Sequence, residues 1–472
     1  MLRTRHRVDG VPASPRAPTD AGGEARGQIQ KNSMSKSKLL AAAVVFAACI
    51  QPVLAQPGSS PAPASGAASA PGPALAQASR NAAYSIDDLI ALARRDNHAL
   101  QAVRAQSLAA RAGIASSRAY PNPEIEFLAG PVRSLAAGGP SGSGNAMQFT
   151  QRLENPALRT ARTGAAEAGA RGAEIGVRAA ENNMIAAIKT QFFGMLRRQE
   201  ELAAAEEDLA LTQQIRDRIA VRVRTGEGAR FDLLRAENEM AIAAKEVDRA
   251  RAGVAQARAL LRGVVGSPLP DGYAINGDFY KSLPLADYNT LRDLAVTTNP
   301  EIRRAAADVA RAERQVDVER QSVMPSLHVR LTQDNNPDTR STRAGIALTV
   351  PLWDRRSGPI DEARAQLLRN RSESDSRRFE QAQAFDAAWQ QFQAASTTVR
   401  ALEGGILQQA RSLVDIAEAA YRYGERGILE YLDARRQFRV TRNDLIAARF
   451  ELYAAKTDLE RLAARDLQGA PE

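Results

Sequence analysis

Apolar residues recur at helical spacing along most of the chain, and the pattern turns to strict alternation in only four short stretches. Ile185, Ile188, Phe192 and Leu196 keep the three-and-four spacing of one helical face, and no strong breaker intervenes between Ala157 and Gly226. The spacing predicts a single helix over Ala157–Arg224, roughly 100 Å long at 1.5 Å per residue. That is far beyond an ordinary globular helix. Asn155 and Pro156 in "LENPALR" supply its N-cap and first residue. Helical patterns also cover Ser85–Ala119, with Ser85 as N-cap, and Leu291–Val323, and Pro121 and Pro325 end them. From Pro359 another long helix runs to Gly424. The alternating stretches are "EIEFLAG" (Glu124–Gly130), "NAMQFTQRL" (Asn145–Leu153), "SLHVRLTQ" (Ser326–Gln333) and "TRAGIALTVPL" (Thr342–Leu352), the period of strands. A Gly/Ser/Pro-rich loop, Pro131–Gly144, and "DNNPDTRS" join them in pairs.

Two segments interrupt the helices in the same way. "VRVRTGEGARFDLLRAENEM" (Val221–Met240) and "YRYGERGILEYLDARRQF" (Tyr421–Phe438) align Gly226 with Gly424, Asp232 with Glu430, Leu234 with Leu432 and Ala236 with Ala434. The match continues in heptads, Met240, Val247, Val254 and Leu261 against Phe438, Leu445, Leu452 and Leu459, which argues coiled-coil packing. The chain therefore reads as an internal duplication, with repeats at 84–267 and 288–467, a connection at 268–287 and a short tail at 468–472. Gly226 and Gly228 break the first helix, and Gly424 and Gly427 the second. Each glycine costs about 1 kcal/mol against alanine inside a helix, so each pair marks a break in it.

Four strands of this length suit an outer membrane crossed at a tilt. A lipid-exposed sheet cannot keep open edges, and four strands are too few to close a barrel. Three chains would supply twelve. The competing reading is a periplasmic adaptor or coiled-coil scaffold with a small β-domain.

Charge changes this picture little. Residues 1–38 carry eight Lys or Arg against three Asp or Glu, over half of the net +9 of the 472-residue chain. No basic stripe with interleaved aromatics follows, so nucleic acid is not an expected partner. Lys36 and Lys38 precede the apolar run "LLAAAVVFAACI", and "VLA" before Gln56 fits cleavage after Ala55. Residues 1–55 read as leader and signal peptide, with translation starting at Met34, and 56–83 as a Pro/Ala/Ser/Gly-rich tether. Cys49, the single cysteine, has two readings: a lipidation site in a loose lipobox "FAAC", or, preferred here, one more small residue of the signal core. His6, His98 and His328 lack ligand spacing, so no metal site is expected. "DNNPD" lacks the glycine and terminal glutamate of a calcium loop. No catalytic constellation and no cofactor motif is present.

From Tyr84 to Leu467 the sequence resembles the TolC-type outer-membrane efflux family, most specifically in the two glycine turns. The resemblance implies a mainly α fold with a small membrane β part. Three chains share a 12-stranded outer-membrane barrel continued by a long periplasmic α-helical tunnel. It implies that the turns are tunnel tips that dock on a periplasmic membrane-fusion adaptor, and through it on an inner-membrane RND pump. Tyr421, Gly424, Arg426, Glu430 and Asp433 resemble the family's second-tip pattern, and Asp232 an acid that bonds the tyrosine when the tunnel is shut. These residues would form a latch, and Glu430 and Asp433 carboxylate rings that favour cations. Solvated charges at a helix start are the plainer reading. Arg230 and Phe231 depart from the small or hydroxyl residues common in the first tip. "QRLENPALR" and "PLWDRRSGPI" resemble the outer-membrane subunits of cobalt–zinc–cadmium-type heavy-metal efflux systems. A divalent heavy-metal cargo follows, with drug efflux or type I protein secretion as the alternative.

Overall fold

The computed structural model describes residues 83–135, 137–281 and 287–465. The leader, Cys49, His6, nearly all of the tether and the tail lie outside the described residues. The strands are β1 (Ala83–Tyr84), β2 (Glu124–Arg133), β3 (Ser141–Leu153), β4 (Ala274–Ile275), β5 (Ser326–Asn335) and β6 (Arg340–Thr349). The helices are α1 (Ile86–Asp96), α2 (His98–Arg118), α3 (Pro156–Arg224), α4 (Arg230–Val265), α5 (Tyr288–Thr297), α6 (Pro300–Gln321), α7 (Ser357–Ala401), α8 (Leu407–Arg422) and α9 (Ile428–Ala463).

Helix α3 is the 69-residue element that the spacing predicts, with Pro156 in its first turn and the Asn155 side chain accepting from the Ala157 amide. Ser85 caps α1 in a reciprocal pair with Asp88. Three expected continuous helices are broken. Asn97 separates α1 from α2, and Asn299 separates α5 from α6. Each asparagine caps the next helix, accepting from Leu100 or Glu301. Each also donates to carbonyls at the far end of a long helix, Val264 and Val265 of α4 or Leu462 of α9. Those carbonyls have no partner within their own helix, so the break satisfies both ends at once. The third break is a π turn, Leu402–Ile406, between α7 and α8, where Gly404 and Gly405 weaken the helix.

Strands β2, β3, β5 and β6 form one antiparallel sheet in that order. They reach further into the loops than alternation suggests: β2 runs through Pro131 to Arg133, and β3 begins at Ser141. β2 is an edge strand, where proline is tolerated. β6 spans Arg340–Thr349 rather than continuing to Leu352, since Pro351 cannot donate to a ladder. The register gives the sheet two unlike faces. Ile125 pairs with Phe149, which pairs with Leu331; on the same face Val329 pairs with Ile346 and Leu327 with Leu348. The other face carries Glu124, Glu126, Gln148, Arg152, Arg330 and Arg343. The apolar face is uncovered: Ile125, Phe127 and Ile346 are 66%, 67% and 72% exposed.

The segment after α4 is more than a connection. β4 pairs in parallel with β1, and Leu269, Tyr273, Ile275 and Phe279 are buried in the largest core, against α1, α3 and α9. There Phe193 stacks on Tyr453 with ring centroids 3.8 Å apart. A second core joins α5, α7 and α9 around Phe385, Leu291 and Leu459. A third lies near the two glycine turns, around Ile215, Ile219, Ala236, Val414, Ile428 and Tyr431.

Candidate functional site at the helical tips

The two turns are built alike. Gly226 and Gly424 follow α3 and α8 with φ of +84° and +76°, the left-handed region that glycine enters without strain. In the first turn the Glu227 amide donates to the Arg222 carbonyl at 2.8 Å, and in the second the Glu425 amide donates to Ala420 at 3.0 Å. Both close the last orphan carbonyls of a helix. Gly228 is constrained for a different reason: a Cβ there would stand 3.1 Å from the Val223 backbone nitrogen, a tight approach. Gly427 has neither constraint, with φ of −75° and open space where a Cβ would lie.

Around the second turn, Arg426 and Glu430 form an i,i+4 ion pair at 2.8 Å, with both side chains at least half exposed. Such a pair contributes about 0–1 kcal/mol alone. Asp433 is exposed and Asp232 half-buried in the first turn of α4. Among the described residues Asp232 makes no hydrogen bond to Tyr421. Tyr421 instead lies parallel to Tyr431, centroids 6.2 Å apart, with the Arg222 guanidinium 5.5 Å from its ring. Tyr431 is buried, and that burial pushes its phenol up, against the opposing charge of Arg435.

Sequence reasoning missed what lies behind these aromatics. Asp208 of α3 is buried and accepts from Arg435 at 3.1 Å and Arg439 at 3.0 Å, both on α9. Arg442, one turn further on, pairs with Glu207 at 2.9 Å. Two signals were available: Arg435, Arg439 and Arg442 share one helical face at i, i+4 and i+7, and Asp208 interrupts a buried stripe of Ala204, Thr212, Ile215 and Ile219.

No group of three or more His, Cys, Asp or Glu among the described residues could hold a metal ion. No described helix is long and apolar enough to cross a membrane, a statement that leaves strands aside.

Paired helical hairpins ending in glycine turns, beneath a four-stranded sheet with one bare apolar face, are the fold of outer-membrane channels. The crystal structure of CusC, which forms a transmembrane channel, superposes with a TM-score of 0.70 at 18% identity, over 81% of this chain and 92% of that one. The chain belongs to the outer membrane efflux protein family, whose model matches residues 89–267 and 291–465. The cobalt-zinc-cadmium resistance protein CzcC of Cupriavidus metallidurans is 24% identical over 382 residues, 80% of this chain and 90% of that protein. The outer membrane efflux protein BepC of Brucella suis is 28% identical over 268 residues, 54% of this chain and 56% of that protein. Efflux channels of this kind are not enzymes.

Proposed function

We propose that three copies of this chain form the passive exit duct of a tripartite efflux system, and that divalent heavy-metal cations are its cargo. The observation that carries the reading is the four-stranded sheet, apolar on one face and polar on the other, whose edge strands β2 and β6 have no further partner among the described residues. Hydrocarbon does not tolerate open edges, so three sheets closing into twelve strands is the arrangement that satisfies every backbone group. The polar face, with Glu126, Arg330 and Arg343, would then line the lumen. The repeats at 84–267 and 288–467 would each supply one strand pair and one helical hairpin, the hairpins extending the duct into the periplasm.

The tips at Gly226 and Gly424 would meet a periplasmic membrane-fusion adaptor, and the adaptor an inner-membrane RND pump. Tyr421, Arg426, Glu430, Asp433 and Asp232 are proposed as the aperture, with Arg426–Glu430 as a breakable latch and Glu430 and Asp433 as threefold carboxylate rings. The similarity to CzcC, a cobalt-zinc-cadmium resistance protein, supports the metal cargo. A passive duct needs no tight metal site of its own. The test is a deletion strain loaded with cobalt, zinc or cadmium: it should accumulate the metal and be restored by the full chain. Unchanged metal accumulation with increased drug sensitivity would reassign the cargo. Loss of neither phenotype would sink the efflux reading.

A further inference from the structure

We infer that Asp208, held between Arg435 and Arg439, is a registry clasp that sets how far the α8–α9 hairpin can swing from α3, and so the width of the aperture. The inference rests on the duct reading and concerns its regulation. Asp208 occupies a core position: Ala204, Asp208, Thr212, Ile215 and Ile219 are all buried at three-and-four spacing along α3. A leucine would serve packing there. A buried ion pair stabilises little more than apolar packing of the same volume, and often less, but it admits one alignment of its partners. Its charge is also answered twice. One carboxylate faces two guanidiniums, at 3.1 and 3.0 Å, with the Asp208 side chain only 10% exposed and that of Arg435 14% exposed.

The placement gives the clasp leverage. Towards the tips the α3–α9 seam is apolar, with Ile215 and Ile219 packed near Ile428 and Tyr431. Away from the tips Leu196 and Ala204 share an apolar core with Ile446 and Tyr453, before a second buried pair on this seam, Lys189 with Glu460 at 2.7 Å. Between these two greasy contacts the seam is charged, and Glu207–Arg442 at 2.9 Å extends it by a turn. Apolar surfaces can slide by small steps, whereas two guanidiniums on one carboxylate cannot be drawn away from it without leaving a buried charge unpaired. Arg435 lies eight residues past Gly427, roughly 12 Å along α9, so a change of angle at the clasp is carried to the tip. Arg435 also lies against the buried Tyr431 phenol, which stacks on Tyr421, so clasp and tip share one chain of contacts.

The experiment is single-channel recording of the purified full-length protein in planar bilayers, with Asp208→Asn, Asp208→Glu and the triple change Asp208→Leu, Arg435→Leu, Arg439→Leu. Asp208→Asn should raise conductance several-fold, and Asp208→Glu should stay near wild type. The triple change should unfold at a temperature no lower than wild type yet still conduct more, which a merely structural role would not produce. If Asp208→Asn does not assemble, Arg439→Gln leaves one pair in place and should show a smaller rise. Conductance equal to or below wild type in every assembled variant overturns the clasp while leaving the duct intact. Absence of any channel from the wild-type protein would instead remove the reading on which it rests.

Discussion

Asn299 shows how much one buried amide can hold. Its oxygen caps α6 and its nitrogen donates to Leu462 at 2.9 Å, with the residue 3% exposed. Replacing it with alanine removes a cap and strands a buried carbonyl, a loss of about 2 kcal/mol or more. Asn299→Ser keeps the cap alone and should lose about half of that. Thermal unfolding of both variants checks the ordering, and equal losses would show that the long-range bond contributes nothing. At the tips, Arg426→Ser should raise conductance through loss of the Glu430 contact, whereas Glu430→Ala with Asp433→Ala should lower cation selectivity. Reversal potentials in a salt gradient separate the two, and wild-type behaviour in both would leave these residues as solvated charges. Ser85 and Asn155 were legible because their partners lie within three residues. Asn97 and Asn299 were not, because half of what they do is done to carbonyls more than 160 residues away in the chain.

Among elements, the long helix α3 was plain from its uninterrupted spacing, and the strands from their alternation. Strand ends were misjudged where composition resembles a turn: "GPVR" closes β2 and "SGSG" opens β3, because pairing with a neighbour outweighs the weak local preference of glycine and proline. The connections are therefore shorter than composition suggests, since β2 continues to Arg133, β3 begins at Ser141, β5 continues to Asn335 and β6 begins at Arg340. Both join strands at the end of the sheet away from the helices. Epitope tags inserted at each should be labelled on intact cells if the sheet spans the outer membrane. Labelling only after permeabilisation would contradict that orientation.

For the whole molecule, the mainly helical fold with a few strands and the glycine turns were legible, but the arrangement of the tip side chains was not. Tyr421 answers to Tyr431 and Arg222 rather than to Asp232, and no spacing rule reports which of several helices packs beside another. The assembly proposed here makes a plain demand: native mass measurement in detergent should give three chains. A stable single chain with its strand signal intact would refute the closure argument, since its two edge strands would then be satisfied some other way.

Those bare edges also dictate a sequence of events in time. A lone sheet with apolar residues facing outward and unpaired backbone on both flanks is a hazard in water, prone to pair with any strand it meets. The helices carry no such burden, since their backbone bonds close within each hairpin. In the proposed trimer the coiled part would therefore mature early and hold three chains side by side before any strand entered lipid. In that assembly insertion would be the last act, committed only when every flank has a neighbour, and its rate should climb steeply with the supply of newly exported chains.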